Sequence, residues 1–183
     1  MSDELAVIKI VSSKLDELQI PYMISGSIAT NYYTIPRMTR DIDIVVEMTL
    51  GNIEKFVALF SPDFYVDKDM ITEEVKRGRM FNLIHNDSVV KIDFIVKTPT
   101  EYAELAFSRR QKITIDSSDA PIWIIAIEDL ILAKLNWAKD SHSEMQLNDV
   151  RNLMKSSKNI DFTYIQRWVK RLDLVSIFGE VTI

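Results

Sequence analysis

Two aspartates, Asp41 and Asp43, lie one residue apart in the otherwise apolar segment DIDIVVE. If this segment is a β-strand, both side chains lie on one face, about 6–7 Å apart at the backbone. Two carboxylates this close destabilise each other unless a cation lies between them. Oxygen ligands alone favour Mg²⁺ or Mn²⁺ over zinc. Asp93 interrupts a second apolar segment, KIDFIV, in the same way and is the candidate third ligand.

A solvent-facing strand side is the competing interpretation of these aspartates. Alternation in an antiparallel sheet places polar side chains toward water, and for Asp93 taken alone this alternative stays open. Two other uses of such residues are excluded. Val45 and Val46 stand where a calcium-binding EF-hand loop needs an oxygen ligand and a glycine. The chain also has no Gly-Lys-Ser/Thr phosphate loop.

The upstream segment YMISGS predicts a phosphate-binding turn. An apolar strand that runs into Gly26 and Ser27 at the start of a helix exposes backbone N–H groups and a hydroxyl, which bind phosphate well. Such a turn, followed by a pair of metal-binding carboxylates, indicates a nucleoside triphosphate with its metal. Arg37 and Arg40 lie between the two motifs. They are candidates for neutralising phosphate charge or, alternatively, surface residues of a loop.

Lys134 lies within the apolar stripe of a predicted helix, IEDLILAKLNWAKD. A lysine that faces a core needs a counter-charge, which we expect from the aspartates or from a triphosphate. The alternative is a lysine at the edge of the stripe whose ammonium reaches water. The stripe consists of Ile127, Leu130, Ile131, Leu135 and Ala138.

Helical and strand periodicities alternate along the first two thirds of the chain, and helical periodicity continues alone after Ile127. We therefore predict an α+β domain over residues 1–125 and a helical part over residues 126–183 that packs on the same core. The predicted strands are PYMISG, DIDIVVE, RMFNLIH, VVKIDFIVK, QKITID and PIWIIA. The predicted helices of the first part are DELAVIKIVSSKLDEL, SIATNYYT, LGNIEKFVALF and TEYAELAFSRR.

Composition excludes several classes of function. The chain has 183 residues, no cysteine and two histidines, which excludes disulfides, thiol catalysis and cysteine-ligated zinc. No stretch approaches the roughly 20 apolar residues of a membrane span, and the acidic start is unlike a signal peptide. We therefore expect a cytoplasmic protein without membrane contact. The net charge is −5, but six Lys/Arg against three Asp/Glu from Arg151 onward fit either a solvated helical face or a local RNA contact.

The ordered motifs resemble the nucleotidyltransferase superfamily related to DNA polymerase β. Its signature is a Gly-Gly or Gly-Ser pair, a spacer, Asp-x-Asp/Glu and a third carboxylate on a later strand. The matching residues here are Gly26-Ser27, Asp41-Ile42-Asp43 and Asp93. Within the superfamily, IPRMTRDIDIVVE resembles the AbiEii/MenA-like, toxin-type branch, whose downstream motif is matched by Glu128, Lys134-Leu135 and Asp149. The resemblance covers roughly residues 20 to 155.

The resemblance implies a mixed sheet flanked by helices, and nucleotidyl transfer assisted by two Mg²⁺ or Mn²⁺ ions. Asp41 and Asp43 would bridge both ions, and Asp93 would bind the catalytic ion and help deprotonate the attacking hydroxyl. The other expected roles are triphosphate binding at Gly26, Ser27, Arg37, Arg40 and Lys134, and support of the site by Thr39, Glu128 and Asp149.

The acceptor is not specified by these motifs. The resemblance implies a toxin-like enzyme that transfers a nucleoside monophosphate to a hydroxyl of tRNA or another RNA, and a cognate antitoxin partner. One alternative is a module of the same fold that binds nucleotide or metal without turnover. A second is an interaction protein that uses the fold only as a scaffold.

Overall fold

The computed structural model describes residues 3–39, 41–115, 120–156 and 159–182. The helices that these residues form are α1 (Asp3–Glu17), α2 (Gly26–Tyr33), α3 (Ile53–Phe60), α4 (Lys68–Lys76), α5 (Glu101–Ser108), α6 (Ile127–Ser141), α7 (Glu144–Ser156), α8 (Phe162–Arg171) and α9 (Val175–Gly179). The strands are β1 (Tyr22–Ile24), β2 (Asp41–Val46), β3 (Phe64–Tyr65), β4 (Met80–His85), β5 (Lys91–Val96), β6 (Gln111–Ile113) and β7 (Ile122–Ile124).

These strands form one mixed sheet in the order β3-β4-β5-β2-β1-β7-β6. Two neighbouring pairs are parallel, β2 with β5 and β1 with β7. The pairs β1–β2, β3–β4, β4–β5 and β6–β7 are antiparallel. The predicted fold class, an α+β fold with a mixed sheet flanked by helices and followed by further helices, is confirmed.

The strict alternation in β2 decides which side of the sheet carries polar groups. Ile42, Ile44 and Val46 are buried, whereas Asp41 is exposed and Asp43 is half-buried on the opposite face. On the core side, the neighbouring strands and α3 contribute a cluster of phenylalanine rings. Its members Phe56, Phe60, Phe81 and Phe94 lie in stacked or edge-to-face contact, with ring centroids 4.1 to 6.1 Å apart.

The helices after β7 share the core of the sheet. Buried apolar side chains of α6, α7 and α8, including Leu135, Val150 and Ile165, belong to the same cluster as those of β1, β2 and β5. The division of the chain at residue 125 stays a prediction.

Three described elements have no clear periodic signal in the sequence. β3 and α9 are too short to show a period. Helix α4, KDMITEEVK, is dominated by charged residues and buries only Ile71 and Val75, which lie four residues apart. Asp67 caps it by accepting a hydrogen bond from the N–H of Met70 at 3.0 Å.

In the part of the chain that the structure describes, none of the helices combines the length and the apolar character that a bilayer crossing requires.

Candidate active site

The register of β2 and β5 brings two of the three aspartates together. These strands are parallel, and Asp43 pairs directly with Asp93, so that both side chains leave the same face of adjacent strands. One residue pair earlier on that face, Asp41 lies opposite Lys91. Asp93 is buried, with 7% of its surface exposed. Three carboxylates and one ammonium therefore share a small polar area on a strand face.

Gly26 lies directly against Asp43. The N–H of Ser25 donates to the backbone oxygen of Asp43 at 2.8 Å, which anchors the turn between β1 and α2 on strand β2. A Cβ atom placed on Gly26 would overlap the Asp43 carboxylate and would lie 2.5 Å from its Cγ and 2.8 Å from its Cβ. Gly26 also has a φ of +57°, a left-handed conformation that favours glycine. Both the backbone conformation and the contact require glycine here.

The carboxylate of Asp43 is electrostatically frustrated. Burial raises the pKa of Asp43, and the neighbouring charges of Asp93 and Asp41 raise it further. Lys134 and the backbone N–H of Ser27, which donates to this carboxylate, act in the opposite direction but do not cancel the effect. An additional cation at this position would relieve the repulsion.

A second group of side chains lies at the start of α2. Arg37 donates to the hydroxyl of Ser27 at 2.8 Å and to Asp149 at 3.0 Å through the same nitrogen, Nη2. Lys134 donates to the same Asp149 oxygen, Oδ2, at 2.8 Å and is only 4% exposed. The counter-charge of the buried lysine is therefore Asp149. The predicted residues Ser27, Arg37, Lys134 and Asp149 form one connected network.

Charge pairing explains the state of Asp149. Burial raises its pKa, but the hydrogen bonds from Arg37 and Lys134 outweigh burial and hold the pKa below its ordinary value. Gln146, one helical turn earlier on α7, accepts a further hydrogen bond from the Lys134 ammonium at 2.9 Å. Asn31 fixes the backbone of Arg37 from both sides, donating to its oxygen at 2.7 Å and accepting from its N–H at 2.9 Å.

Two predicted positions within the described residues, Thr39 and Glu128, stand apart from these contacts. Thr39 makes a 3.4 Å hydrogen bond to the backbone oxygen of Asp41, so it touches the start of β2 rather than a carboxylate. Arg40 lies outside the described residues. Glu128 belongs to a different cluster, which forms around Arg109.

Glu128 pairs with Arg109 at 2.9 Å and accepts a hydrogen bond from the N–H of Asp161 at 3.2 Å. Arg109 also donates to the fully buried Asp129 at 2.9 Å, and the Tyr164 hydroxyl donates to the other Asp129 oxygen at 2.6 Å. These contacts join the residue after α5 to the start of α6 and to α8. In the described ranges, Glu128 thus contacts a structural cluster instead of the three aspartates.

Sequence reasoning gave no role to Lys91, Asn31 or Gln146. The spacing of Lys91, two residues before Asp93 on a strand, places it on the same face and was a usable signal. The contacts of Asn31 and Gln146 depend on tertiary packing. Lys91 donates to Asp93 Oδ2 at 2.8 Å.

The donor set is compatible with a divalent cation, although the ligands are not assembled. Oδ1 of Asp93 is buried and has no hydrogen-bond partner among the described residues, and an oxygen of this kind suits a hard cation. Over residues 3–39, 41–115, 120–156 and 159–182, however, no group of three or more His, Cys, Asp or Glu side chains is arranged to hold a metal ion. The expected three-aspartate arrangement is therefore not preformed.

Comparison with known proteins identifies the fold. No protein-family model matches the chain, and no curated protein matches it in sequence. A nucleotidyltransferase-like antigenic protein from Paracoccidioides brasiliensis is similar in structure, with 20% identity, a TM-score of 0.55, and coverage of 97% of this chain and 93% of that one. The antibiotic-resistance factor ANT(2'')-Ia has 16% identity and a TM-score of 0.58, covering 95% of each chain. The chain has the nucleotidyltransferase fold.

A third similar structure is the lincomycin-bound lincosamide antibiotic adenylyltransferase LnuA, with 15% identity, a TM-score of 0.52, and coverage of 86% of this chain and 98% of that one. At these identities the likeness concerns the fold. Within the nucleotidyltransferase fold of this chain, Gly26 packs against the Asp43 carboxylate, and the next residue, Ser27, accepts a hydrogen bond from Arg37.

Proposed function

We propose that the chain transfers a nucleoside monophosphate from a nucleoside triphosphate to an acceptor hydroxyl, in a metal-dependent reaction. The observation that carries this proposal is the direct pairing of Asp43 with Asp93, with Gly26 packed against the Asp43 carboxylate. A carboxylate pair on one face, beside a glycine-serine helix start, provides oxygen ligands and backbone N–H donors for a metal–triphosphate.

The network at the start of α2 is the proposed binding region for the β- and γ-phosphates. The Ser27 hydroxyl and the Arg37 guanidinium are in contact, and the Arg37 side chain is one-third exposed. Arg37 can therefore exchange its bond to Asp149 for bonds to phosphate oxygens, which a guanidinium binds in a bidentate manner. Lys134 would stay buried and bonded to Asp149, and its positive charge would favour binding of the phosphates. Arg40 is also proposed to bind phosphate, only because its position in the sequence lies between Gly26-Ser27 and Asp41.

The residues proposed to hold the metal are Asp41, Asp43 and Asp93. When bound, Mg²⁺ or Mn²⁺ would neutralise charge on the phosphates and on the attacking and leaving oxygens. Asp93, the most buried of the three, would orient the acceptor hydroxyl and accept its proton. The protein's remaining contribution is positioning, which gives most of the rate enhancement in phosphoryl transfer.

The proposed acceptor is a hydroxyl of RNA, in keeping with the AbiEii/MenA-like motif. The toxin-like role and the antitoxin partner are proposed from the same resemblance, and the cytoplasmic location is proposed from the sequence. Arg171, one of the basic residues of α8, forms an ion pair with Glu101 at 2.6 Å. Two of the similar structures are named for antibiotic resistance or antibiotic adenylylation. The acceptor screen therefore includes tobramycin and lincomycin, which appear in the names of two similar structures, beside RNA.

A binding module without turnover is the second candidate. The observation that favours it is that the basic side chains are already paired: Lys91 with Asp93, and both Arg37 and Lys134 with Asp149. Calorimetry of triphosphate binding, combined with an assay for product, distinguishes the two candidates. Tight triphosphate binding without product on any acceptor supports the module, whereas product formation supports the enzyme.

The deciding experiment incubates the protein with labelled nucleoside triphosphates, Mg²⁺ or Mn²⁺, and an RNA pool or the antibiotics. We expect label transfer by the wild type and its loss in the Asp41→Asn/Asp43→Asn double variant. Asp87→Asn, an exposed position in the β4–β5 turn, serves as the matched control and should behave as wild type. Transfer that persists unchanged in the double variant would exclude this mechanism.

A further inference from the structure

Lys91, the first residue of β5, lies beside the three aspartates on the same face of the sheet. It stands opposite Asp41 in the β2–β5 register, and its ammonium donates to Asp93 Oδ2 at 2.8 Å. The next pair on the same face is Asp43 with Asp93. One ammonium thus faces three carboxylates, in the region where a divalent cation would have to bind.

The two oxygens of Asp93 are in different states. Oδ2 is bonded to Lys91, whereas Oδ1 is buried and has no hydrogen-bond partner among the described residues. The aspartate is therefore held by a single cation on one side and leaves one oxygen for a further ligand. Burying a carboxylate oxygen without a hydrogen-bond partner costs free energy, and this cost makes Oδ1 a suitable ligand atom for an incoming cation.

The side chain of Lys91 can move away from Asp93 into solvent. Its side chain is 41% exposed, and an exposed lysine can swing its flexible four-carbon stem into water at little energetic cost. Lys134, the other lysine of this region, differs in this respect because it is buried and bonded to Asp149 and Gln146. Of the two, Lys91 is the cation that can be displaced.

We propose that Lys91 is the resident counter-ion of the three aspartates: it occupies the place of a divalent cation at Asp93 in the nucleotide-free protein and swings out when a metal–triphosphate enters. Lys91 is then a positioning residue that keeps Asp93 in its productive orientation while discouraging metal uptake without nucleotide. The inference rests on the proposed function, because it takes the aspartates as the metal ligands.

The test measures Mn²⁺ binding to the nucleotide-free protein by electron paramagnetic resonance, which needs no acceptor and no turnover. Lys91→Gln removes the charge but keeps an N–H donor for Asp93. Because the ammonium and Mn²⁺ repel each other at short range, we expect Lys91→Gln to bind Mn²⁺ about tenfold more tightly than wild type. Lys91→Arg, which keeps the charge, should resemble wild type.

Lys76→Gln is the matched control, since Lys76 is an exposed lysine that pairs with a carboxylate, Glu73, at 3.0 Å outside the cluster. It changes the net charge equally and should leave Mn²⁺ binding unchanged. The shift of the thermal unfolding midpoint on adding Mn²⁺ is a second readout, and it should be larger for Lys91→Gln than for wild type. Lys91→Met replaces Lys91→Gln if the latter does not fold.

Equal or weaker Mn²⁺ binding by Lys91→Gln overturns the inference. If the wild type nevertheless binds Mn²⁺ together with a nonhydrolysable triphosphate, the proposed function stands while the role of Lys91 falls. If neither protein binds Mn²⁺ with or without the triphosphate, both the inference and the metal-dependent function are wrong.

Discussion

Replacement of Gly26 by alanine tests the closest contact of the candidate site. The new Cβ would lie 2.5 Å from Cγ and 2.8 Å from Cβ of Asp43. The carboxylate oxygens could rotate away, but the Asp43 Cβ is fixed to strand β2, which is held between β1 and β5. The turn or the strand must therefore move, and Asp43 must leave its place opposite Asp93.

Two terms give the expected loss of stability. A left-handed φ costs a residue with a Cβ about 1–2 kcal/mol, and overpacking of a close contact adds about 1–3 kcal/mol. We therefore expect Gly26→Ala to lower the free energy of unfolding by about 2–5 kcal/mol. A displacement of Asp43 by about 1 Å should also lower the rate of nucleotidyl transfer by about 100-fold.

Gly78 provides the matched control. It has a similar φ of +62°, but a Cβ there would meet nothing within 4 Å. Gly78→Ala should thus lose only the backbone term, about 1–2 kcal/mol, and keep its activity. Urea unfolding followed by tryptophan fluorescence measures both variants. If Gly26→Ala is no less stable than Gly78→Ala, the contact with Asp43 is not what requires glycine.

Two further predictions concern the charges. The pKa of Asp43 is raised in the folded chain above its ordinary value, so the folded state loses stability as the pH rises from that ordinary value through the raised pKa. Asp43→Asn should therefore raise the melting temperature at pH 7 and have little effect near pH 4. A difference in melting temperature that does not change with pH would contradict this origin. Asp149→Asn leaves Lys134 buried without its counter-charge and should lower the free energy of unfolding in urea by about 3–5 kcal/mol. Asp173→Asn, which removes a carboxylate from the exposed pair with Lys139, should leave the free energy of unfolding unchanged. Equal effects of the two variants would show that burial of the ion pair is irrelevant.

Local periodicity was sufficient to predict most of the described strands and helices, although not the highly charged α4, and the face that each aspartate occupies. Alternation in DIDIVV places Asp41 and Asp43 together because successive side chains of a strand point to opposite faces. The same rule puts Lys91 beside Asp93. The stripe on α6 predicted that Lys134 faces inward, and its 4% exposure agrees with this. The short elements β3 and α9 carried too few residues to show a period.

Pairing between distant segments could not be predicted in this way. The alignment of Asp43 with Asp93 depends on how β2 and β5 bury Ile44 and Phe94 in a common core, since a slip of one residue would turn the carboxylates to the other face. The expected counter-charge of Lys134 likewise proved to be Asp149 of α7, which the packing of two helices brings within 2.8 Å.

The sequence by itself therefore determined which side chains face the same way, because that property depends on local backbone geometry alone. Only the tertiary structure decided which of them meet. In the folded chain Lys91 pairs with Asp93, and both Arg37 and Lys134 pair with Asp149. Glu128 pairs instead with Arg109, away from the aspartates. These contacts depend on strand register and on helix packing, both of which are decided by the burial of apolar side chains over the whole chain.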